Sequence, residues 1–324
     1  MLNYVLSDQI VYLVAKIVEL VTKIPVSEEK QITPHLRRRN RVKAIQASLA
    51  IENNSLSIDQ VNDIFDGKEV LGPPREIREV QNAFRVYDML PKLRPGSEPD
   101  LLRAHQVLMK DLMEKAGVFR EGKVGIFSEA RLVYMAPPAD EVPELIEKLL
   151  KWTRDSKAHP LIKSCVFHYE LEFIHPFTDG NGRMGRVWQT LILSRWKTIF
   201  GWLPVESLIK DKQKEYYQAL GRADQTGDSA PFIEFMLEVI LKALKEMTKS
   251  DQVTVQVSDQ VKKLLEVIKK DEVLSGKELM RRLKLRHRPT FRTSYLLPAI
   301  EQGLVELTVP EKPNSSQQKY RLRK

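Results

Sequence analysis

The chain has 324 residues, 42% of them hydrophobic, and a net charge of +9. This size allows a substantial buried core spread over two or three domains. A single cysteine, Cys165, excludes a disulfide framework and indicates a reducing compartment. Nearly all the positive excess lies in residues 258–324, with 16 Lys and Arg against 8 Asp and Glu, which sets this part apart as a separate module.

Residues 1–24 are apolar, but Asp8, Lys16 and Glu19 interrupt them. Their apolar residues recur with helical spacing, which predicts an amphipathic packing helix rather than a signal peptide or a membrane span. No other stretch is long and apolar enough to cross a bilayer. The sequence therefore predicts a cytoplasmic protein without a membrane partner.

Helices and one hairpin are predicted over the next 130 residues. A short β-hairpin should pair residues 118–120 with 124–127 across a turn at 121–123. Asp100 is the expected N-cap of the helix that precedes it. The predicted helices are one that ends near Asn53, and those over residues 75–90, 100–114 and 144–152.

The segment from His175 to Arg186, HPFTDGNGRMGR, carries the strongest functional pattern. An apolar helix over residues 164–174 should end before it, because a residue that precedes proline avoids the helical region. Gly180 and Gly182 form a turn, and a second helix follows from about Gly182 through Trp196. A glycine-rich loop that opens a helix binds anions, because its free amides and the helix dipole point the same way.

The side chains of this segment predict phosphate chemistry. Arg183 and Arg186 are three residues apart on one helix face, so they can grip successive phosphates of a polyphosphate. Asp179 is placed to hold Mg²⁺ between those phosphates. His175 is placed to take a proton from an attacking hydroxyl near neutral pH. Together these parts are what phosphoryl or nucleotidyl transfer requires.

The pattern H-P-F-x-D-G-N-G-R-x-x-R fixes nine positions and resembles the signature of the Fic family. The resemblance covers about residues 30–245 and implies a mainly α fold, with a helical core and a short hairpin flap. It also implies transfer of AMP from ATP onto a hydroxyl side chain of a target protein or of the chain itself, with magnesium. The implied nucleotide-binding residues are Gly180, Asn181, Gly182, Arg183, Met184, Gly185 and Arg186.

A second feature resembles the inhibitory helix that some Fic proteins carry before the core. Residues 48–53, SLAIEN, fit the pattern S/T-x-x-x-E-G/N, with Ser48, Glu52 and Asn53 at its fixed positions. Because Ser48 and Glu52 lie one turn apart on one face, we expect the carboxylate to pair with Arg186 in the γ-phosphate's place. The alternative is an ordinary glutamate at a helix end.

The resemblance implies two further contributions to the site. Residues 118–127 correspond to a flap that holds the target peptide as an added strand, and they also fit a purely structural hairpin. Paired tyrosines after the second helix are implied to line the adenine pocket, although they also fit core packing. The residues concerned are Val124, Gly125, Ile126 and Phe127 beside the nucleotide, and Tyr216 and Tyr217 at the adenine.

The end of the chain reads as a separate winged helix. A helix over residues 231–247 should complete the core, and residues 251–257 should form a linker or short strand. Arg286, Arg288 and Arg292 flank the start of the third predicted helix, where a winged helix meets either DNA or a protein partner. The predicted elements are helices over 258–270, from the Ser275 capping box to about 284, and over 289–302, followed by strands over 304–309 and 319–323.

Three domains are therefore expected: an N-terminal helical region with the inhibitory helix (1–99), a Fic-type catalytic core (100–250) and a winged helix-turn-helix domain (251–324). The sequence favours a protein adenylyltransferase that is autoinhibited by Glu52. Two other functions stay open, a DNA- or partner-binding regulator with an ATP-sensing core, and a hydrolase that removes AMP. The target protein and a homodimer are also left open.

Overall fold

A computed structural model describes residues 2–23, 34–122, 124–128, 131–255, 259–268, 272–301, 303–311, 315 and 317–322. Predicted features at residues 123, 256–258, 269–270, 302, 312–314, 316 and 323 lie outside this part. The chain forms two compact units, Met1–Pro25 with Asn40–Lys245, and Val26–Arg39 with Glu246–Lys324. Within the described residues, no helix combines the length and hydropathy needed to cross a bilayer. The domain boundaries after residues 99 and 250 stay a prediction.

The described residues up to Val255 are mainly helical, as predicted. Short 3₁₀ turns occur at Leu90–Lys92, Ala139–Glu141 and Thr198–Gly201. A two-stranded antiparallel hairpin consists of β1 (Gly125–Ser128) and β2 (Arg131–Met135). The helices are α1 Asp8–Thr22, α2 Pro34–Ile51, α3 Ile58–Phe65, α4 Pro74–Met89, α5 Glu98–Leu108, α6 Val142–Asp155, α7 Pro160–Ile174, α8 Asn181–Trp196, α9 Val205–Asp211, α10 Gln213–Thr226 and α11 Ala230–Val255.

Helices α7 and α8 form the centre of the first unit. A helix that is apolar on all sides must be surrounded by protein, and in α7 the side chains of Phe167, Leu171 and Ile174 are fully buried. Trp188 and Leu191 of α8 are fully buried in the same cluster. The loop between the two helices is therefore anchored at both ends in the core.

Two predictions about α5 were wrong. The N-cap is Ser97, whose hydroxyl accepts a hydrogen bond from the Asp100 amide, while the Asp100 carboxylate accepts from Arg94 instead. The helix also ends at Leu108 rather than near residue 114. Its last carbonyls are satisfied from another helix, because Asn82 Nδ2 of α4 donates to the Leu108 carbonyl oxygen at 3.2 Å.

The predicted hairpin exists, but its predicted register was wrong. β1 ends at Ser128 and β2 begins at Arg131, so the connection lies between them and not at residues 121–123. Residues 118–120 do not pair with β1, because Arg120 is bonded to the loop after α7. Its amide donates to the Pro176 carbonyl oxygen at 2.9 Å.

The C-terminal unit has its own small core and a three-stranded antiparallel sheet of order β3-β5-β4. The predicted helices and two strands are present, while the short strand β3 and a π-helical turn at Phe291–Leu296 were not predicted. Half of the predicted capping box is present: Ser275 Oγ accepts from the Glu278 amide at 3.2 Å, but the Glu278 carboxylate accepts from Arg281 and Arg282 instead of the Ser275 amide. The elements are α12 Asp259–Val267, β3 Leu274–Ser275, α13 Gly276–Arg282, α14 Arg288–Thr290, α15 Leu297–Glu301, β4 Val305–Leu307 and β5 Lys319–Leu322.

The predicted linker was wrong over most of its length, because α11 continues through Val255. Residues 251–255 contain neither glycine nor proline, so nothing in the backbone ends the helix there.

Candidate active site

The loop between α7 and α8 is closed by its own side chains. His175 ends α7 in the left-handed conformation with φ 50°, and Gly180 precedes α8 with φ 86°. Asn181 Oδ1 accepts from the Phe177 amide at 3.0 Å, and its Nδ2 donates to the Phe177 carbonyl oxygen at 2.8 Å. The Asn181 side chain is thus used within the loop, which leaves its main-chain amide among the first-turn donors of α8.

A buried histidine that the sequence analysis did not identify packs against the loop. His105 is fully buried and stacks on Phe177 with ring centroids 3.7 Å apart. The Gly117 amide donates to its Nδ1 at 2.9 Å, so its Nε2 carries the proton and donates to the Asp179 carbonyl oxygen at 3.0 Å. Burial lowers the pKa of His105 to about 4, which keeps the ring neutral and the tautomer fixed.

His175 itself is half-buried at the start of the loop. Its Nδ1 lies 3.3 Å from the main-chain oxygen of Glu172, an acceptor only, so Nδ1 donates there. This tautomer leaves the Nε2 lone pair as the proton acceptor.

Asp179 and Arg183 form an ion-pair cluster at the mouth of the loop. Arg183 Nη2 donates to Asp179 Oδ1 at 2.9 Å, and Arg183 Nη1 lies 3.5 Å from Glu79 Oε1 of α4. Arg75 Nη2 is 3.5 Å from Asp179 Oδ2, and the Asp179 side chain is 45% exposed. Within the described residues the buried Arg183 Nε has no hydrogen-bond partner. The cluster therefore offers one accessible carboxylate and one unused guanidinium donor.

Arg186 is bound by the segment at the end of α2. Its Nη2 lies 2.7 Å from Glu52 Oε1, and its Nε donates to Ser48 Oγ at 2.9 Å. The Glu52 oxygen also stands over the start of α8, since a Cβ added to Gly182 would meet it at 2.7 Å. Burial has the largest single effect and would lower the pKa of Arg186, but Glu52 together with Tyr216 and Glu172 raises that pKa overall. A carboxylate of the chain itself thus lies at the amide-rich end of α8.

Asn53 follows Glu52 in the left-handed conformation with φ 67°. Asparagine tolerates this conformation better than most residues, and it is common just after a helix end. Asn53 therefore ends α2 directly after the Glu52 turn.

The remaining residues predicted to bind the nucleotide lie either in α8 or at the start of the hairpin. Met184 is fully buried in the core. A Cβ on Gly185 would lie 2.5 Å from the ring of buried His168, so this glycine permits helix packing. Val124 is half-buried and its carbonyl oxygen accepts from the Ala136 amide. Gly125, Ile126 and Phe127 lie in β1, where their backbone pairs with β2.

The two tyrosines of α10 differ in burial. Tyr216 is 1% exposed, and its hydroxyl lies 3.1 Å from His168 Nε2 and 3.4 Å from Glu172 Oε1. Burial raises the pKa of Tyr216 well above its ordinary value. Tyr217 is 50% exposed and is the one of the pair that has an accessible ring face.

Comparisons with known proteins agree with this architecture. The model described as Fic/DOC family matches residues 95–193, and the model described as Filamentation induced by cAMP protein Fic-like, C-terminal domain, matches residues 259–323. The crystal structure of a Fic family protein from Desulfovibrio desulfuricans G20 is 50% identical, covers 99% of this chain and 98% of that one, and superposes with a TM-score of 0.76. Both the loop and the C-terminal unit are thus found in one class of proteins.

The chain belongs to the Fic family, and the predicted fold class is confirmed. It is 30% identical over 202 residues to protein adenylyltransferase fic-1 of Caenorhabditis elegans, which covers 58% of this chain and 37% of that protein. It is 31% identical over 208 residues to protein adenylyltransferase Fic of Nematostella vectensis, which covers 59% and 45%. The chain therefore spans less than half the length of these relatives.

Proposed function

We propose that the chain transfers AMP from ATP onto a hydroxyl side chain of a protein, and that Glu52 restrains this activity. One observation carries the proposal: the Glu52 carboxylate already lies at the first turn of α8 and on Arg186, so this place binds an anion. The unused Arg183 Nε adds a second donor for a polyphosphate in the same loop. Relatives named protein adenylyltransferases support the nature of that anion.

In this mechanism His175 Nε2 takes the proton of the attacking Tyr, Ser or Thr hydroxyl. The hydroxyl oxygen forms a bond to the α-phosphorus of ATP, the bond from that phosphorus to the bridging oxygen breaks, and pyrophosphate leaves. The first-turn amides of α8 with Arg183 and Arg186 hold the phosphates, whose negative charge they stabilise. Tyr217, half-exposed, is the tyrosine better placed to contact the adenine.

Asp179 fits a magnesium ion that arrives with ATP. Its carboxylate is 45% exposed, and Arg75 reaches its Oδ2 only at 3.5 Å. Within the described residues no group of three or more His, Cys, Asp or Glu side chains is arranged to hold a metal. A single carboxylate suits Mg²⁺, which is bound mainly by phosphates and water in such sites. When bound, the ion would neutralise phosphate charge.

The hairpin is the proposed docking place of the target. Its described sheet contains only β1 and β2, so each strand has one edge without a strand partner there. An extended target segment can add to such an edge by main-chain hydrogen bonds, which demand no particular sequence. This suits an enzyme that must present one hydroxyl side chain to His175.

Self-labelling with ATP carrying radioactive α-phosphate tests the proposal. We expect weak label on the wild type, none on His175→Ala, and at least about tenfold more on Glu52→Gly, because the anion site is then free. ATP labelled at the γ-phosphate must give no label. Equal label on wild type and His175→Ala would remove the proposed role of His175, and unchanged label on Glu52→Gly would remove the restraint.

A second candidate function belongs to the C-terminal unit. Lys284, Arg286 and Arg288 are exposed together at the start of its third helix, while the carboxylates of Glu272 and Glu278 are engaged by Arg282. Such a surface fits a nucleic-acid backbone, with an affinity that falls as salt rises. In a mobility-shift assay, Arg286→Glu with Arg288→Glu should abolish retardation of duplex DNA, and Lys148→Glu should not. No retardation by the wild type at low salt would dismiss this candidate.

A further inference from the structure

A buried arginine outside the Fic motif connects the loop after α7 to both ends of the hairpin. Arg120 is 5% exposed, and its guanidinium donates to the carbonyl oxygens of His175 (2.7 Å from Nε) and Gly122 (2.8 Å from Nη1). Its Nη2 also reaches the carbonyl oxygens of Ile174 (3.3 Å) and Pro137. These four acceptors are all main-chain groups, so the contact depends on backbone position rather than on residue type.

Two of the acceptors are at the C-terminal end of α7. The last carbonyls of a helix have no partner within the helix, and a cation there is favoured by the helix dipole. The left-handed conformation of His175, φ 50°, is strained for a residue that has a side chain. Arg120 Nε on the His175 carbonyl and the Arg120 amide on the Pro176 carbonyl hold the chain in that conformation.

The other two acceptors flank the hairpin. Gly122 precedes β1, and Pro137 follows β2 by two residues. The rung nearest to them joins the Ala136 amide to the Val124 carbonyl oxygen at 3.1 Å. A planar guanidinium can donate in several directions at once, whereas a lysine ammonium is a compact point charge. One side chain therefore fixes the base of the hairpin and the backbone of His175 to each other.

We propose that Arg120 is a positioning residue that sets the orientation of the His175 imidazole and links it to the base of the hairpin. The proposal rests on the proposed function, since His175 must act as the base. The Arg120 bonds given above lie at the His175 backbone and the base of the hairpin, whereas Arg183 and Arg186 are bound by Asp179 and Glu52. Its loss therefore affects the chemical step rather than the binding of the phosphates.

The kinetic test uses Arg120→Lys in the Glu52→Gly chain, with self-labelling measured over a range of ATP concentrations. Displacements of about 1 Å at a reacting group cost up to about a hundredfold in rate, so we expect kcat to fall about 20- to 100-fold. KM for ATP should change less than about twofold, because the phosphate contacts are kept. A rise in KM with an unchanged kcat would overturn the proposal.

Arg195→Lys is the matched control. Arg195 Nη2 also donates to main-chain carbonyls, those of Leu90, Pro91 and Leu93, but none of these belongs to the loop or the hairpin. We expect its kcat to stay within about twofold of the parent, so that a general loss of stability is separated from positioning. Equal losses for Arg120→Lys and Arg195→Lys would overturn the proposal.

Hydrogen exchange supplies a measurement that does not need activity. In the chain with native Glu52, Arg120→Lys should speed exchange in peptides covering residues 131–137 and 173–178 together, and Arg195→Lys should speed neither. If Glu52→Gly alone showed no transfer of AMP, the proposed function would fail while this exchange still tests the link. Exchange that rises in one segment only would refute it. If Arg120→Lys does not fold, Arg120→Gln must show the same paired change.

Discussion

The two ends of the segment from His175 to Arg186 are held in different ways. At the first end, buried groups bind main-chain atoms: His105 donates to the Asp179 carbonyl oxygen, and Arg120 donates to that of His175. At the second end, Arg186 is bound through its charge by Glu52, which lies 134 residues earlier in the chain and whose side chain is 33% exposed. The proposed base, His175, is therefore fixed by the core, and the proposed anion site is covered by a separate segment.

This difference shows where the proposed activity can be regulated. An ion pair with one partly exposed partner contributes on the order of 1–2 kcal/mol, between the values for surface and buried pairs. A ligand present at a hundred times its dissociation constant supplies about 2.7 kcal/mol. The Glu52 contact can thus be displaced by a ligand of ordinary affinity. The contacts around His175 are main-chain bonds within the core, so we expect regulation at the proposed phosphate site rather than at the proposed base.

The largest effect is expected from Arg186→Ala, which separates two roles of this arginine. Loss of Arg186 frees Glu52, but it also removes a proposed phosphate ligand. Loss of a charged donor at such a site costs about 3–4 kcal/mol, or about 10² to 10³ in rate. When Arg186→Ala is added to the Glu52→Gly chain, the rate of self-labelling should therefore fall about 10²- to 10³-fold. Self-labelling of the Arg186→Ala single variant should stay near background. If it rose as much as that of Glu52→Gly, Arg186 would serve only to hold the inhibitory Glu52.

The next effect tests the first end through pH. The pKa of His105 is lowered to about 4 by burial, against about 6.5 in the unfolded chain. Between these values the unfolded state binds a proton that the folded state does not, so the free energy of unfolding falls as pH is lowered from 6.5 to 4. The full loss is about 3 kcal/mol, and the contribution is present above pH 6.5.

Urea unfolding of wild type and His105→Gln at pH 7, 6, 5 and 4.5 measures this contribution. Glutamine keeps one donor and one acceptor for Asp179 and Gly117 but does not titrate. The difference between the two proteins should shrink steadily below pH 6.5. Other titrating groups cancel in the difference between the two proteins. If the two plots of unfolding free energy against pH ran parallel over the whole range, His105 would not be kept neutral by burial.

Local sequence patterns predicted much of this site. The loop follows from His175-Pro176 and the glycines, and the pairing of Glu52 with Arg186 follows from one helix turn read beside a known motif. The contacts of Arg120 and His105 were missed because their partners are main-chain oxygens, which carry no residue pattern. The hairpin pairing was missed for the same reason, since residues 118–120 looked like a strand but Arg120 binds main-chain oxygens of the loop after α7. Only tertiary structure brings these groups together.

Gly185 is a motif residue that also has a packing role in the core. An added Cβ would lie 2.5 Å from His168, and that ring cannot move freely because its Nδ1 is 2.7 Å from Gln189 Oε1. Overpacking of this kind costs about 1–3 kcal/mol, so Gly185→Ala should lower the free energy of unfolding by about 2 kcal/mol. ATP affinity of the folded protein should not change.

Gly221→Ala is the control for that substitution. Gly221 lies inside α10, and an added Cβ would meet nothing within 4 Å. Alanine should therefore stabilise the protein by about 0.5–1 kcal/mol. Opposite signs of the change in unfolding free energy for the two glycines separate packing from helix propensity. If Gly185→Ala had normal stability but no longer bound ATP, Gly185 would instead be a nucleotide-binding residue.

The smallest predicted effect concerns the anchor of the segment that carries Glu52. Asn54 is 8% exposed, and its Nδ2 donates to Glu79 Oε2 at 2.8 Å while its Oδ1 accepts from the Leu56 amide at 3.1 Å. Removing such a bond costs about 1 kcal/mol, so Asn54→Ala should raise self-labelling about three- to fivefold by loosening the hold of Glu52 on Arg186. Gln60→Ala removes a bond to the Leu71 carbonyl oxygen in the loop before α4 and a bond from the Ser57 amide, and it should leave self-labelling unchanged.

The double variant decides whether Asn54 acts through Glu52. If it does, Glu52→Gly with Asn54→Ala should label no faster than Glu52→Gly alone, because there is no carboxylate left to release. A further rise in the double variant would mean that freeing Glu79, which faces Arg183, changes the other arginine of the loop directly. In that case the anion site would be restrained at both arginines, by Glu52 at Arg186 and by Glu79 at Arg183.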